Sequence, residues 1–300
     1  MDVGIIGIGT MGKNHVRVYS ELKSVDSVGV YDLNTGAARE IGQQHGAEVY
    51  TTIDELLAHA DAVSVCVPTP FHAAVVRQVF AAKRSVLIEK PICPTAREAQ
   101  ALMQEAPPGI TIGVGHIERF NPIVAEIRKI MGTPVYVEMK RHNPASARVT
   151  GSTVVEDLMI HDIDILISLC GMPSDIHSAG SHDVCSVLMK CGKIPVSLSA
   201  SRKSSKKIRM IYIEEEEFTI EGDFMTQEIT IYRKPGQYRF EAERYVQENI
   251  IEKVMVNKLE PLKRELSTFI ECVSGGTPFP ITPDQAISNL QICETILAGL

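Results

Sequence analysis

The sequence predicts an α/β protein of two domains: a doubly wound parallel sheet, followed by an α+β domain with a large mixed or antiparallel sheet. Two observations support this fold class. Short apolar runs alternate with helical patterns over the first 115 residues, and the alternation stops after Pro122, where strand-like runs follow one another. The length of 300 residues also exceeds the usual size of one domain. We therefore expect one domain at 1–118 and a second at 119–300.

The first domain contains six apolar runs with the length of buried strands. Between them lie helical patterns of the length that right-handed crossover connections need. Strands joined in this way run parallel, and helices cover both faces of their sheet. The predicted strands are 3–7, 27–31, 48–50, 62–67, 86–88 and 111–114, and the predicted helices are 12–22, 35–45, 53–60, 71–82 and 95–105.

The second domain shows no further alternation of single strands and helices. Its strand-like runs are linked by tight polar turns, which is typical of an antiparallel or mixed sheet with helices on one face. A loop that contains Gly151 precedes the second of its helices. We predict helices to about residue 130 and at 156–170, 259–274 and 284–297, and strands at 134–141 and within 176–232.

The composition is that of an ordinary globular protein, with 44% hydrophobic residues, 22% charged residues and a net charge of -7 at pH 7. Nothing in it favours binding to nucleic acid or to a membrane. The first residues lack the features of a secretion signal and no run approaches the length of a membrane span, so we expect a cytoplasmic protein. The densest charge run, the glutamates 214–217, is interpreted as a solvated turn between strands rather than a cation site.

The seven cysteines form an odd set without a Cys-x-x-Cys pair. This pattern argues against a disulfide framework and against a structural zinc site. We expect reduced, largely buried thiols and no bound metal.

The first predicted strand runs into a Gly-x-Gly-x-x-Gly motif that opens the first helix. Such glycines permit a tight turn and let a pyrophosphate approach the backbone N–H groups at the positive end of the helix. In this context the motif predicts a dinucleotide-binding Rossmann domain at 1–118. The residues predicted to bind the pyrophosphate are Gly7, Gly9, Thr10, Met11 and Gly12.

Asp32 stands 20 residues after Gly12, at the end of the second predicted strand. A carboxylate at this position accepts hydrogen bonds from the hydroxyls of the adenosine ribose. The same charge repels a 2′-phosphate, and no arginine directly follows Asp32 to compensate, so we expect NAD rather than NADP. Taken alone, Asp32 is also compatible with a helix cap or a turn residue.

Glu89-Lys90-Pro91 follows the fifth predicted strand. Ligands of open α/β sheets bind at this carboxyl edge, so the ammonium group of Lys90 is placed to reach a reacting oxygen. Considered by itself, such a lysine is more often a surface residue, and the proline is equally compatible with a simple turn.

Asp157 and His161 are four residues apart on a predicted helix, so both side chains point to one side. Oxidation of an alcohol needs a base for the hydroxyl proton, and an imidazole titrates close to neutral pH. The ammonium group of Lys90 would stabilise the developing alkoxide. The alternatives are a histidine bonded only for packing and a His/Asp metal site, which the lack of a second histidine at ligand spacing weakens.

Together these motifs resemble the glucose-fructose oxidoreductase, inositol dehydrogenase and MocA (Gfo/Idh/MocA) family over essentially the whole chain. The matching segments are the glycine motif with His15, Pro68-Thr69-Pro70-x-His72, Glu89-Lys90-Pro91 and Asp157-x-x-x-His161.

The resemblance implies a nicotinamide cofactor along the carboxyl edge of the first sheet, with Lys90, Asp157 and His161 around the reacting carbon. In this scheme His161 takes the hydroxyl proton, Lys90 polarises the oxygen, and Asp157 orients Lys90 or the sugar. The resemblance also implies that the second sheet mediates a homo-oligomer, either a dimer or a tetramer. It adds to the predicted cofactor-binding residues Pro68, Thr69, His72, Glu89 and Lys90.

Within the family, residues 115–122 look like the corresponding segment of UDP-N-acetylglucosamine 3-dehydrogenases, and residues 161–164 are similar to their equivalent run. Arg119 and Asn121 are also explained as a helix-start charge and an N-cap before Pro122. The chain is short for the family, and Gly151-x-x-Val154 stands where many members carry a second glycine. The predicted substrate-binding residues are Lys90, His116, Arg119, Asn121, Asp157 and His161.

We therefore expect an NAD-dependent oxidoreductase that acts on a CH–OH group of a nucleotide sugar. The best candidate substrate is UDP-N-acetylglucosamine, oxidised to its 3-keto form, and an aminotransferase would suit that product as a pathway partner. Two alternatives stay open: a dehydrogenase of a free polyol or inositol, and a non-catalytic NAD-binding sensor that retains the fold.

Overall fold

The computed structural model describes residues 1–148, 151–234, 238–241, 244–247 and 250–300. These residues form two compact units. The first consists of Met1–Phe120 and Glu260–Gln291, and the second of Asn121–Leu259 and Ile292–Leu300. Each unit has a large apolar cluster of buried side chains.

The first unit is built on a six-stranded sheet. Its strands are β1 (Asp2–Ile6), β2 (Ser27–Tyr31), β3 (Glu48–Val49), β4 (Ala62–Val65), β5 (Ser85–Glu89) and β6 (Ile112–Gly115). All neighbouring strands are parallel, in the order β3-β2-β1-β4-β5-β6, so the winding direction reverses between β1 and β4. Ligands of such sheets bind outside the carboxyl ends of the strands at this switch point.

Helices connect these strands and bury both faces of the sheet, since every residue of β4 and β5 is buried. The second helix shows how local sequence sets its limits. The Asn34 side chain accepts a hydrogen bond from Ala37 N at its start, and Gly46 ends it with a left-handed φ of 70°. The prediction of a doubly wound parallel sheet is confirmed. The helices are α1 (Thr10–Glu21), α2 (Thr35–His45), α3 (Ile53–His59), α4 (His72–Ala81) and α5 (Ala96–Gln104).

The second unit is built on an eight-stranded mixed sheet. Its strands are β7 (Tyr136–His142), β8 (Pro173–Gly180), β9 (Val184–Cys191), β10 (Ile194–Ser201), β11 (Ile208–Glu214), β12 (Phe218–Asp223), β13 (Glu228–Arg233) and, after a separate hairpin of β14 (Tyr238–Glu241) and β15 (Arg244–Gln247), β16 (Ile250–Val254). The order is β16-β13-β12-β11-β7-β10-β9-β8. Only β7 and β10 pair in parallel in this sheet as described, so the predicted α+β class is confirmed.

One face of this sheet packs on helices, and strand β9 shows the alternation that follows. Cys185, Val187 and Met189 are buried, whereas the intervening Leu188 is 63% exposed. The buried face belongs to the same apolar cluster as α6 (Pro122–Ile130) and α7 (Ile160–Cys170). The opposite face carries exposed side chains, among them Leu188.

The compact units differ from the predicted domains of 1–118 and 119–300 in the placement of the helices after residue 259. Helix α8 (Pro261–Gly275) contributes Leu262, Leu266 and Phe269 to the core of the first unit. Helix α9 (Pro283–Ala298) begins in the first unit and ends in the second. The periodicity of an amphipathic helix reveals that one stripe is buried but not which core it joins, so sequence order does not determine the unit to which α8 belongs.

Smaller predictions concern turns, thiols and membrane spans. Glu214 ends β11 and the glutamates at 215–217 form the turn to β12, as predicted, and Glu215 also accepts a hydrogen bond from Gly132 N at 2.6 Å. All seven cysteines are free thiols, five of them buried. Among the described residues, no helix has the length and apolar character that crossing a membrane requires.

A buried ion pair joins the second sheet to α7. Arg141 of β7 donates from Nε and Nη2 to Asp162 Oδ1 at 2.9 and 2.6 Å, and both side chains are at most 2% exposed. The Arg141 guanidinium also lies over the ring of Phe224, 5.5 Å from its centre. Because Asp162 directly follows His161, this pair fixes the first turn of α7.

We expect Asp162→Asn to lower the free energy of unfolding by about 3–5 kcal/mol, because it leaves the Arg141 charge buried without its carboxylate. The control is Glu105→Gln, which breaks the exposed pair with Arg77 and should change the free energy of unfolding much less. Urea unfolding curves of the two variants check this. Equal losses in both would show that the buried pair does not anchor α7.

Candidate active site

The glycine motif forms a tight turn between β1 and α1. Gly7 has a φ of 95°, which favours glycine, and its N–H donates to Tyr31 O at 2.8 Å. A Cβ on Gly12 would lie 1.9 Å from Gly7 O, so α1 packs directly against the turn and only glycine fits there. A Cβ on Gly9 would meet nothing within 4 Å, which leaves that side of the turn open.

The first turn of α1 is available to an anion. Gly9 is the N-cap residue of α1 and has no side chain that could satisfy the first N–H groups. Free N–H groups and the positive end of the helix macrodipole together favour a phosphate at this position. The open side of Gly9 and the uncapped helix therefore fit the pyrophosphate of a dinucleotide.

Asp32 is anchored beside this turn. Its Oδ2 accepts a hydrogen bond from Ile8 N at 2.6 Å, and its Oδ1 accepts one from Asn34 N at 2.7 Å. The residue thus serves as a turn residue, which was the alternative interpretation. Each carboxylate oxygen keeps a second lone pair, so the same anchoring leaves the carboxylate able to accept from a ribose hydroxyl.

A pocket of about 760 Å³ lies along the carboxyl ends of β1, β2, β4 and β5. Its size is within the range of small-molecule and cofactor sites. Apolar side chains, among them Leu33, Ile53 and Phe71, form part of its wall and suit a flat nucleotide base. The predicted cofactor-binding residues that line this one pocket are Gly7, Gly9, Thr10, Met11, Asp32, Pro68, Thr69, His72, Glu89 and Lys90.

Of the predicted set, Gly12 does not line the pocket; its part is the close contact with Gly7. His72 is buried, with Nε2 2.8 Å from Val67 O and Nδ1 3.2 Å from Ile92 O. Burial lowers the pKa of His72, so its ring is neutral near neutral pH and can donate to one of the two carbonyls. His72 therefore joins the loop after β4 to the loop after β5.

A buried pair of hydrogen-bonded side chains holds the backbone at Lys90. The Glu89 carboxylate accepts a hydrogen bond from His15 Nε2 at 2.9 Å and one from Lys90 N at 3.3 Å. His15 and Glu89 are both buried, and a Cβ on the adjacent Gly115 would approach Glu89 Oε1 to 3.1 Å. The pair fixes the backbone at the end of β5, from which the Lys90 side chain lines the pocket.

Sequence reasoning included His15 in the family motif but gave it no partner. The sequence feature that could have indicated a structural role for His15 is its position three residues after Gly12, one helical turn from the glycine contact. The ligand atoms of His15, Cys66 and Glu89 lie within 4.8 Å of one another, a spacing that a metal ion could use. His15 and Glu89 bond each other, and burial raises the pKa of the Cys66 thiol well above its usual value.

In the second unit, Asp157 and His161 lie on one continuous helical segment whose first turn is wider than an α-helix. Asp157 belongs to a π turn, Val155–Met159, and His161 is the second residue of α7. The predicted helix over 156–170 is present, and its first turn is a π turn. A capping box starts the segment: Thr153 N and Oγ1 both donate to Glu156 Oε2 at 2.8 Å. Such π turns are frequent at functional sites.

Asp157 is 21% exposed, and its Oδ2 lies 3.8 Å from Nη2 of Arg202. Arg202 follows β10, is 5% exposed, and donates from Nη1 to Ser152 O at 3.2 Å. It therefore contacts both the loop before the π turn and the turn itself. Sequence reasoning missed Arg202, because one arginine at a strand end is ordinary unless its burial is known.

The remaining predicted residues lie around residue 120, where His116 and Asn121 are buried and Arg119 is half-buried. His116 is 1% exposed, with Nε2 3.5 Å from Asn289 Nδ2. Arg119 lies in a 3-10 turn, Ile117–Phe120. All residues of the first unit are described, and neither His116 nor Arg119 lines the pocket. Asn121 caps α6, as the alternative interpretation held, and its Nδ2 donates to Phe224 O at 3.0 Å.

Comparison with known proteins identifies the family of this chain. Residues 1–109 match the Gfo/Idh/MocA model, described as an oxidoreductase family with an NAD-binding Rossmann fold. The UDP-N-acetylglucosamine 3-dehydrogenase of Acidithiobacillus ferrooxidans is 30% identical over 288 residues, which cover 93% of this chain and 90% of that protein. The chain belongs to the Gfo/Idh/MocA family. The inositol 2-dehydrogenase of Rhizobium meliloti is 24% identical over 324 residues, covering 99% and 96% of the two chains.

Solved structures show the same architecture. The UDP-N-acetylglucosamine 3-dehydrogenase from Acidithiobacillus ferrooxidans superposes with a TM-score of 0.89 at 27% identity, covering 100% of this chain and 97% of that one. A levoglucosan dehydrogenase in complex with NADH and levoglucosan has a TM-score of 0.85 at 17% identity, over 100% and 96% of the chains, and shows the shared fold.

This Gfo/Idh/MocA protein is an NAD-binding oxidoreductase that acts on CH–OH groups. Residues 1–109 match the NAD-binding Rossmann fold, and the pocket in this part of the chain is lined by the glycine turn, Asp32 and Lys90. The chain is thus an enzyme rather than a sensor that only binds NAD.

Replacing Asp32 by serine and Leu33 by arginine should shift the preference from NAD toward NADP. The double variant removes a carboxylate that repels the 2′-phosphate and adds a cation at a position that is 90% exposed on the pocket wall. The ratio of kcat/KM values for the two cofactors measures the shift. Leu33→Arg alone keeps the carboxylate and should shift the ratio less. An unchanged ratio in the double variant would remove Asp32 from the ribose site.

Proposed function

We propose that the protein oxidises a secondary hydroxyl of a nucleotide sugar and that the C3 hydroxyl of UDP-N-acetylglucosamine is the best candidate. The observation that carries this proposal is the 30% identity to a UDP-N-acetylglucosamine 3-dehydrogenase over 93% of this chain and 90% of that protein. Lys90, which lines the NAD pocket, supports the chemical role that the proposal needs.

The proposed chemistry removes a proton from the hydroxyl oxygen and a hydride from its carbon. Bound NAD supplies the acceptor for the hydride. We assign the hydroxyl proton to His161, because an imidazole exchanges protons near neutral pH. The Lys90 ammonium stabilises the negative charge that develops on the oxygen as the carbonyl forms.

Asp157 is assigned an orienting role, toward Lys90 or toward a sugar hydroxyl. Its contact with the Arg202 guanidinium restricts the carboxylate to one position, which an orienting group needs. The keto group of the product would suit an aminotransferase acting next. The substrate contacts of His116, Arg119 and Asn121, the homo-oligomer and the cytoplasmic location remain predictions.

A free polyol or inositol is the second candidate substrate. The inositol 2-dehydrogenase of Rhizobium meliloti matches 99% of this chain, although at the lower identity of 24%. The two candidates differ in one chemical respect: a nucleotide sugar carries a charged diphosphate, and a free polyol carries none.

A substrate panel distinguishes them. With NAD in excess, we expect kcat/KM for UDP-N-acetylglucosamine to exceed that for UDP-glucose by about tenfold or more, since the acetamido group gives contacts that glucose lacks. Reduced nicotinamide is followed by its absorbance. Turnover of myo-inositol with none of any UDP-sugar would overturn the proposal in favour of the second candidate.

The assignment of His161 as base predicts a pH profile. In the oxidative direction the imidazole must start neutral, so kcat/KM should fall on the acidic side with a single limb. His161→Asn should remove that limb and lower the rate by about 10²–10⁴-fold. His177→Asn, which removes an exposed imidazole of β8 in the same unit, is the matched control and should leave the profile unchanged. A soluble, NAD-binding His161→Asn protein that kept the acidic limb would transfer the base role to Lys90 as a neutral amine.

A further inference from the structure

The segment that follows β10 is strongly basic. Residues 202–209, which we call the basic segment, contain five lysines or arginines and no aspartate or glutamate. The whole chain has a net charge of -7, so this concentration of positive charge is local. Its cationic members are Arg202, Lys203, Lys206, Lys207 and Arg209.

The basic segment passes over the ends of three strands of the second sheet. Ser201, the last residue of β10, is in register with His142 of β7, and Ile208, the first residue of β11, is in register with the same His142. The carboxyl ends of β7 and β10 and the amino end of β11 therefore lie side by side at this end of the sheet.

Arg202 connects the basic segment to the π turn. Its buried guanidinium donates to Ser152 O and lies 3.8 Å from the Asp157 carboxylate. The basic segment therefore begins in contact with Asp157, the residue to which we assign an orienting role.

The lysines at the far end of the segment differ from Lys203 in their partners. Lys203 Nζ lies 2.9 Å from Asp183 Oδ2. Lys206 and Lys207 are exposed, and within the part of the chain that the structure describes neither has a carboxylate within 4.0 Å. Two ammonium groups therefore remain for an anion from outside, on the segment whose first residue, Arg202, contacts Asp157.

We propose that the basic segment binds the diphosphate of the substrate, with the ammonium groups of Lys206 and Lys207 as its main contacts. Multiple cations suit the several charged oxygens of a diphosphate. In a nucleotide sugar the diphosphate is attached to C1, two ring atoms from C3, so its cations belong beside the catalytic residues rather than among them. A free polyol gives such cations no partner. This inference rests on the proposed function, whose substrate class it narrows to diphosphate-bearing sugars.

The test compares Lys206→Gln/Lys207→Gln with a control of equal charge change, Lys193→Gln/Lys234→Gln. Lys193 lies in the turn between β9 and β10 and Lys234 follows β13. Both are therefore at the opposite ends of the strands from the basic segment. Calorimetric titrations use UDP, inorganic pyrophosphate and uridine on the full chain with NAD present. We expect the Kd for UDP to rise about tenfold in the first variant, and that for pyrophosphate to rise also. Uridine should bind all three proteins alike, and the control should match the wild type.

Salt gives a second readout. The wild-type Kd for UDP should rise with ionic strength, and this dependence should be weaker without the two lysines. An unchanged Kd for UDP in the first variant, or wild-type binding of UDP no tighter than that of uridine, would overturn the assignment. Unchanged melting temperatures exclude misfolding as the cause of a loss.

Turnover separates the two proposals. Wild-type protein that binds UDP through these lysines but oxidises no UDP-sugar would contradict the proposed function and leave the anion site standing. Wild-type protein that oxidises UDP-N-acetylglucosamine, with the same KM in the lysine variant, would contradict the anion site alone. If glucose 1-phosphate competes as well as UDP, the segment binds a sugar phosphate and the diphosphate assignment is wrong.

Discussion

The close contact between Gly12 and Gly7 is the constraint on which the first unit depends. With 1.9 Å between a would-be Cβ and the Gly7 oxygen, only two glycines let α1 start directly above the end of β1. This start leaves the helix N-terminus uncapped and aimed along the carboxyl edge, which is where an anion gains most from it. Asp32 and the end of β5 border the same edge because the parallel sheet places all its carboxyl ends there.

Buried polar pairs then hold the residues to which chemistry is assigned. In the first unit His15 and Glu89 fix the backbone beneath Lys90, and the side chain remains in the pocket. In the second unit Arg141 fixes Asp162, next to His161, and Arg202 approaches Asp157. In each case a charged or polar side chain is removed from water and paired, which costs desolvation but limits the number of positions that its neighbour can occupy.

Periodicity and motifs predicted most of the fold, and most of the residues predicted to bind the cofactor line one pocket. The limits of α2 follow from Asn34 and Gly46, and the glycine turn follows from three residues whose spacing has one structural meaning. Contacts between residues that are distant in sequence could not be predicted. Nothing in the amphipathic pattern of α8 tells that it joins the core of the first unit, and nothing near Asp157 in sequence indicates Arg202 or a π turn. Local sequence determines local geometry, whereas packing of the whole chain determines which helices, strands and side chains contact each other.

The central claim is that the Lys90 ammonium group stabilises charge in the transition state of hydride transfer. Single-turnover rates and the Kd for NAD should be measured for Lys90→Met and for Lys83→Met, a control that alters an exposed lysine at the amino end of β5. The account predicts that Lys90→Met lowers the single-turnover rate by about 10²–10³-fold with little change in the Kd for NAD, and that the control alters neither. A rate near that of the wild type in a folded, NAD-binding Lys90→Met protein would contradict the account.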